Sequence, residues 1–356
     1  MGGDEPEMTR ARRRNRARLG AVGLALALYA VGATSVDAGA GTTVSPAIAK
    51  VEAGLVDVNV KLPYEDASGA GTGMVLSARG EILTNNHVVR GATTISVVDV
   101  ANHRTYRATV VGYDINADVA VLQLTAARGL RRVPLGTSTG VVVGAAVTAV
   151  GNAGGVGGTP SVATGSVTSL HQSITAQDEL GGSEQLSGLI ETSAPLEPGD
   201  SGGPLVSAAG KVIGMDTAGS TSFSFAASST AGFAIPISTA VRIAHRIEVG
   251  NGSSVIHIGP TAFLGVDVEQ PRGFFRTSSA AGLEVTDVIA GTPAATTALA
   301  PGDLLTSFDG IAVTTPTELT DLLLVTAPGA VASLVYVNQV GAQVTATVTL
   351  ASGPAQ

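Results

Sequence analysis

The chain has 356 residues, of which 44% are apolar, so it is long enough to form two or three domains with sizeable cores. It contains no cysteine, which excludes disulfide bonds, thiolate catalysis and zinc–thiolate sites but leaves the cellular compartment open. The net charge is −8, and because six arginines lie within residues 1–18, the rest of the chain has 14 basic against 25 acidic residues. An acidic body without a basic stripe argues against a nucleic-acid partner.

Residues 19–36 (LGAVGLALALYAVGATSV) follow these arginines and contain no charge. A basic flank before an apolar run is typical of a secretory signal, so residues 1–40 are predicted to be a signal peptide with a small-residue cleavage site at Ala38-Gly39-Ala40 or Ala33-Thr34-Ser35. The run also reaches the lower length limit for a membrane span, which keeps a retained signal anchor as the alternative. Both interpretations predict an exported protein, either secreted or held at the cell envelope.

The body, residues 41–250, is dominated by short apolar strands separated by Gly, Asn, Asp or Pro, which indicates a β-barrel or sandwich. Ile237 to Gly250 has helical periodicity and ends on glycine, as helices often do. Residues 251–260 are interpreted as a linker. Residues 261–352 mix strands with one amphipathic helix and are predicted to form a separate α+β module.

Ser201 lies in a short stretch, EPGDSGGPLV, that is unusually rich in glycine. A serine hydroxyl becomes a nucleophile only when a base is within hydrogen-bond reach and a third group orients that base. Of the five histidines, His87 differs from the rest because it ends a strand-like segment. Asp118, 31 residues later, abuts the apolar run VAVLQL, so its partly buried carboxylate needs a partner such as a histidine N–H. Asp114 is the competing acid, and its position indicates turn chemistry.

The resulting order His87, Asp118, Ser201 is that of double-barrel proteases and differs from the order in α/β-hydrolases. The glycines around Ser201 fit an oxyanion hole, which needs backbone N–H groups aimed at one point. This predicts that the loop Gly199, Asp200, Ser201 forms the hole, with the N–H groups of Gly199 and Ser201 as donors.

The chain resembles the HtrA (DegP-like) family of serine proteases, and secreted PepA-type proteases of actinobacteria in particular. The motifs that carry this resemblance are GAGTGMVL and ILTNNHVV, DINADVAVLQL, PGDSGGPLV, AGFAIP and, in the tail, IGPTAFLG. It implies an all-β, chymotrypsin-like double β-barrel followed by a small α+β PDZ domain. His87 and Asp118 would lie in the first barrel and Ser201 in the second. No metal or organic cofactor is implied.

The resemblance also implies further site residues. Thr217, Ala218 and Gly219 would pair with substrate, and Phe263, Leu264 and Gly265 would form a loop that binds a peptide C-terminal carboxylate. Pro195 stands six residues before Ser201, where trypsin-like enzymes carry an acid, so small or aliphatic side chains are predicted at P1, the substrate residue before the scissile bond. Asp200 departs from the asparagine usual in HtrA proteins, and its role stays open between a local turn acid and an activation role.

The function implied is an exported serine endopeptidase that acts on unfolded or damaged proteins, with a PDZ domain that binds peptide C-termini. The alternative is a chaperone or scaffold in which the PDZ domain dominates and proteolysis is secondary. An esterase with the same triad is a third interpretation. The oligomeric state is open, with a homo-oligomer among the options, and so is whether the PDZ domain activates or inhibits.

Overall fold

The structure is a computed structural model that describes residues 45–62, 64, 67–177, 183–217, 231–271 and 281–356. The predicted signal segment, residues 1–40, lies outside these ranges. Within them, every helix is too short or too polar to cross a lipid bilayer.

The first barrel consists of six antiparallel strands and two short helices. The strands are β1 (Leu55–Leu62), β2 (Ala67–Val75), β3 (Glu81–Thr84), β4 (Thr94–Asp99), β5 (Thr105–Asp114) and β6 (Val119–Leu124). They are paired in the order β5-β4-β1-β2-β3-β6, and β5 also pairs with β6, which closes the barrel. The helix α1 (Pro46–Glu52) precedes β1, and α2 (Asn86–Val89) directly follows β3. Because β3 ends at α2, the residues of this short helix sit at one end of the barrel.

The second barrel also has six strands. They are β7 (Ala146–Gly151), β8 (Ser161–Gln177), β9 (Ser183–Thr192), β10 (Pro204–Ser207), β11 (Val212–Asp216) and β12 (Gly232–Pro236). The order β10-β11-β12-β9-β8-β7 closes through the pairing of β10 with β7. One apolar core contains residues of both barrels, for example Leu83 and Val121 with Val206 and Met215. Burial of these side chains is favourable and holds the two barrels together.

The helix α3 (Ile237–Glu248) follows the second barrel. Its buried residues are spaced three and four apart, namely Ile237, Ala240, Ile243, Ala244 and Ile247. Gly250, just beyond its end, has φ of 70°, the left-handed conformation that glycine adopts most readily. The helix predicted from the sequence is therefore confirmed.

The segment 251–260, predicted to be a linker, contains the short strand β13 (Ile256–Ile258). This strand pairs with the end of β5 and adds a seventh strand to the sheet of the first barrel. The domain limits drawn from the sequence stay a prediction, but residues 256–259 attach this connection to the first barrel.

The remaining residues form a module with its own apolar core. Its elements are β14 (Thr261–Phe263), β15 (Val266–Glu269), β16 (Leu283–Val288), β17 (Leu304–Phe308), β18 (Ile311–Ala312), α4 (Pro316–Val325), β19 (Val331–Val337), β20 (Gln343–Thr349) and β21 (Ala351–Gly353). The sheet runs β15-β16-β17-β19-β20, with β18 on β17, while β14 pairs with β21. The helix α4 starts at a capping box between Thr315 and Glu318. The predicted double barrel followed by a small α+β module is thus confirmed.

The residues after β21 return to the first barrel beside α2. The N–H of Gly91 donates to the carbonyl oxygen of Ala355 at 2.9 Å, and Asn86 Nδ2 donates to the backbone oxygen of Gln356 at 3.0 Å. The N–H of Gln356 donates to the Tyr113 hydroxyl at 3.2 Å. Ala355 is buried in the core of the first barrel, so the α+β module is joined to it by both hydrogen bonds and apolar packing.

Candidate active site

His87 and Asp118 are brought together by neighbouring strands. His87 lies in α2, directly after β3, and Asp118 immediately precedes β6, which pairs with β3. His87 Nδ1 is 2.9 Å from Asp118 Oδ2, and the His87 backbone N–H donates to Asp118 Oδ1 at 3.0 Å. These two bonds fix the position and plane of the imidazole, whose side chain is 33% exposed.

Asp118 is almost fully buried, with 1% exposure, and has φ of 52°, a conformation that non-glycine residues adopt rarely. Its carboxylate also accepts a hydrogen bond from Thr217 Oγ1 at 2.5 Å, and its backbone oxygen accepts one from Asn85 Nδ2 at 2.9 Å. Burial acts to raise the pKa of Asp118, but the charge of His87 and the hydrogen bonds from His87 and Thr217 outweigh it and lower the pKa from its ordinary value. The carboxylate is therefore ionised beside the imidazole.

Asp114, the competing acid, is bound within its own turn. Its Oδ1 accepts a hydrogen bond from the N–H of Ala117 at 3.0 Å. Burial is the main influence on this carboxyl group and raises its pKa. Asp114 is thus the last residue of β5, and its carboxylate caps the turn that leads to β6.

Ser201 lies in the turn before β10, and its carbonyl oxygen accepts a hydrogen bond from the N–H of Thr72 in β2 at 2.8 Å. The neighbouring Gly71 shows how closely the loop approaches α2. A Cβ at Gly71 would lie 3.2 Å from the Ser201 oxygen and 2.7 Å from the side chain of Val88, the residue after His87. The fold therefore brings Ser201 to the part of β2 that also contacts the histidine helix.

Thr72 connects the two barrels at this point, and the sequence analysis did not single it out. Its Oγ1 donates to the carbonyl oxygen of Gly199 at 2.7 Å and accepts from the N–H of Asn152 at 2.9 Å. Its own carbonyl oxygen accepts from Thr84 Oγ1 at 2.7 Å. Thr72 thus holds the loop around Ser201 through both its backbone and its side chain.

In the predicted oxyanion loop, one N–H group is hydrogen-bonded within the protein and two are not bonded to other described residues. The N–H of Asp200 donates to the Glu197 oxygen at 3.0 Å, whereas no hydrogen bond to another described residue uses the N–H of Gly199 or of Ser201. Gly199 has φ of 99°, and a Cβ there would overlap the backbone of Asn152. The two N–H groups assigned as donors are thus available, while that of Asp200 is engaged.

The Asp200 side chain is buried and accepts two hydrogen bonds. Its Oδ1 accepts from Ser161 Oγ in β8 at 2.9 Å, and its Oδ2 accepts from the Glu197 N–H at 2.9 Å. Burial is the main cause of a raised pKa at this carboxyl group. One bond therefore lies within the turn, and the other connects the turn to the second barrel.

Of the four predicted substrate-binding residues, the structure describes Pro195 and Thr217. Pro195 is exposed, and the Thr217 hydroxyl faces Asp118, a contact that the sequence did not indicate. Ala218 and Gly219 lie outside the described residues. Among the residues that are described, no group of three or more His, Asp or Glu side chains is placed to hold a metal ion.

The predicted carboxylate loop connects β14 and β15. Leu264 is buried in the core of the module, and the Phe263 ring stacks on Tyr64 with centroids 5.1 Å apart. Gly265 has φ of 81°, and its carbonyl oxygen accepts hydrogen bonds from Ile289 and Thr292. The loop leads into β15, which is an edge strand of the sheet.

Comparison with known proteins agrees with this arrangement. A family model described as a trypsin-like peptidase domain matches residues 71–215, and one described as a PDZ domain matches residues 262–350. Serine protease PepD of Mycobacterium tuberculosis is 32% identical over 297 residues, which cover 80% of this chain and 61% of PepD. A probable periplasmic serine endoprotease, DegP-like, of Hahella chejuensis is 32% identical over 280 residues, which cover 77% of this chain and 55% of the relative.

Among solved structures, the HtrA-type protease AlgW with a tripeptide is 30% identical and has a TM-score of 0.48, with coverage of 86% of this chain and 95% of AlgW. The chain spans less than two thirds of the length of the two curated relatives. The finer likeness to PepA-type proteases stays a prediction. The two matched domains, in this order, and the identity to PepD and to the DegP-like endoprotease show that the chain belongs to the HtrA (DegP-like) family of serine proteases with a PDZ domain.

Proposed function

We propose that the protein is an exported serine endopeptidase that cleaves unfolded or damaged proteins through His87, Asp118 and Ser201. The observation that carries this proposal is the doubly hydrogen-bonded pair of His87 and buried Asp118 beside the loop of Ser201. Export is supported by the arginine-flanked apolar run at residues 19–36. It is also supported by the DegP-like relative, which is described as periplasmic.

In this mechanism, Ser201 Oγ attacks the carbonyl carbon of the scissile peptide bond while His87 Nε2 takes the hydroxyl proton. Asp118 holds the Nδ1–H tautomer of His87 and stabilises the imidazolium that forms. The N–H groups of Gly199 and Ser201 donate to the oxyanion. His87 then gives its proton to the leaving amine, and a water molecule, activated in the same way, releases the acyl group from Ser201.

The proposal is tested by labelling the full chain with an organofluorophosphonate, mapping the modified residue, and following casein cleavage. We expect the label on Ser201, and we expect Ser201→Ala to lose labelling and at least about 10⁴-fold of the cleavage rate. Ser187→Ala, an exposed serine of the second barrel, is the control and should retain both. A label on another residue, or cleavage that survives Ser201→Ala, would contradict the mechanism. Suppression of aggregation with casein left intact would favour the chaperone interpretation.

We further propose that residues 261–353 bind peptide C-termini. Support comes from the left-handed Gly265 in the loop before β15 and from the position of β15 as the terminal strand of its sheet, beside which a peptide can add as a strand. The test uses full-length Ser201→Ala, so that the probe is not cleaved, and fluorescence anisotropy of a labelled peptide. We expect a peptide with a free C-terminal carboxylate to bind at least about tenfold more tightly than its C-terminal amide. Equal affinities would contradict carboxylate recognition.

A further inference from the structure

Asp216, the last residue of β11, is a fully buried acid that the proposed mechanism does not use. Its exposure is 0%, and both carboxylate oxygens have no hydrogen-bond partner among the described residues. An unpaired carboxylate is costly to bury, and natural proteins pair or neutralise such groups. Burial foremost, and then the nearby charge of Asp200, raise the pKa of Asp216 well above its ordinary value, so the carboxyl group holds a proton more readily than an exposed acid does. A cation brought to this group would favour its ionised form and would supply the partner that the described residues do not.

The position of Asp216 links it to the nucleophile loop. Its carbonyl oxygen accepts from the N–H of Gly202, and its N–H donates to the oxygen of Gly203, at 2.8 and 2.7 Å. Successive side chains of a strand point to opposite faces. Because the next residue, Thr217, directs its hydroxyl to Asp118, the Asp216 carboxylate lies on the other face of the strand, away from the histidine.

On that face, β12 presents two small residues. Asp216 pairs with Ala234 of β12, and a Cβ at Gly232 of the same strand would meet the side chain of Leu196 at 2.7 Å and the carbonyl oxygen of Ala194 at 3.0 Å. The charged group acting on Asp216 within the described ranges is Asp200, another acid. Apart from Leu196, these residues offer few side-chain atoms, and the two acids favour a cationic group over an aliphatic one at this position.

The substrate residue whose carbonyl Ser201 attacks is held at the same loop by the N–H groups of Gly199 and Ser201. Its side chain, the P1 side chain, therefore starts beside Gly202, whose N–H binds the backbone of Asp216. Lysine and arginine carry their charge at the end of a long stem and can bring it to a recessed carboxylate.

We infer that Asp216 is a specificity-determining residue that accepts the cationic side chain of lysine or arginine at P1. This inference rests on the proposed peptidase activity. It differs from the preference for small or aliphatic residues predicted from Pro195, because the acid would be supplied by β11 instead of by the segment before Ser201.

The test compares peptide substrates that differ only at P1, with Arg, Lys, Val or Ala, on the full chain. We expect kcat/KM of the wild type to favour Arg and Lys by at least about tenfold, since pairing of a buried charge is worth this much or more. Asp216→Asn should lose at least about tenfold for Arg and Lys and stay within about threefold for Val and Ala. Asp216→Glu should keep the basic preference. Asp99→Asn, which changes another buried acid with an unpartnered oxygen, should leave the P1 ratios unchanged.

A second measurement needs no variant: benzamidine, an aromatic amidinium, should inhibit the wild type competitively. A wild type that prefers Val or Ala, or an Asp216→Asn variant that loses all four substrates equally, would overturn the inference. Labelling of Ser201 distinguishes a failure of the inferred P1 specificity from a failure of the proposed peptidase activity. If Ser201 is labelled and casein is cleaved but Arg and Lys are not preferred, only the specificity is wrong. If Ser201 is not labelled, the proposed activity fails with it.

Discussion

Replacing Asp118 with asparagine is expected to lower kcat by about 10⁴-fold, because an amide cannot hold His87 in the tautomer that accepts the proton of Ser201. The amide nitrogen would replace either Oδ2, which faces His87 Nδ1 and the Thr217 hydroxyl, or Oδ1, which faces the backbone N–H of His87. Steady-state kinetics on a chromogenic peptide measure the loss, and circular dichroism checks that the fold is retained.

The matched control is Asp114→Asn, which changes the acid of the neighbouring turn and should leave kcat within a few fold. Equal losses in the two variants would contradict the assignment of Asp118.

The pH dependence of folding stability gives a second test of the Asp118 assignment. The folded protein holds the pKa of Asp118 below its ordinary value, so ionisation of this group stabilises the fold at a pH above that ordinary value, and the contribution is lost as the pH falls through the lowered pKa. The stability difference between wild type and Asp118→Asn should therefore shrink in acid.

Gly202→Ala is expected to destabilise the protein by about 3 kcal/mol or more, since it combines backbone strain with a steric clash. Gly202 has φ of 86°, and its added Cβ would overlap the backbone oxygen of Thr72 and the hydroxyl of Thr84. Either the nucleophile loop or β2 would have to move, so peptidase activity should fall as well. Urea denaturation followed by circular dichroism measures the change in unfolding free energy.

Gly250→Ala is the control for backbone strain alone. Its φ of 70° is similarly left-handed, but a Cβ there would meet open space. We expect a cost of about 1 kcal/mol, which is the strain of a non-glycine residue in this conformation. If the two variants were equally destabilised, the contact between Gly202 and β2 would not explain the first result.

The fold and the central residues of the site could be predicted because their signals are local. Short apolar strands, turn residues and the periodicity of residues 237–250 indicate a β-barrel or sandwich and α3, and the resemblance to the HtrA family implies the double barrel. The strand end at His87 and the buried setting of Asp118 indicated the pair that the structure joins at 2.9 Å. Strand β13 was not predicted, because a run of three residues carries too little pattern to distinguish it from a linker.

The remaining residues depend on contacts between distant parts of the chain. Thr72 forms hydrogen bonds with Gly199 and Asn152, which are 127 and 80 residues away. The sequence around Thr72 does not indicate these long-range contacts. In the sequence, nothing distinguishes Asp216 from the other residues of a short apolar strand. Its burial without a partner became visible when β11, β12 and the loop before Ser201 were placed together.

Because β13 and residues 355–356 attach to the first barrel, a version of this protein truncated before β13 would lose contacts that the first barrel needs. A version ending near residue 250 would expose the edge of β5 and strip Gly91 and Asn86 of their acceptors. A loss of peptidase activity in such a version would then reflect damage to the structure around His87 and would not show whether the PDZ domain affects cleavage. Point substitutions in the PDZ domain that leave β13 and residues 355–356 unchanged would separate the proposed peptide binding from the proposed cleavage.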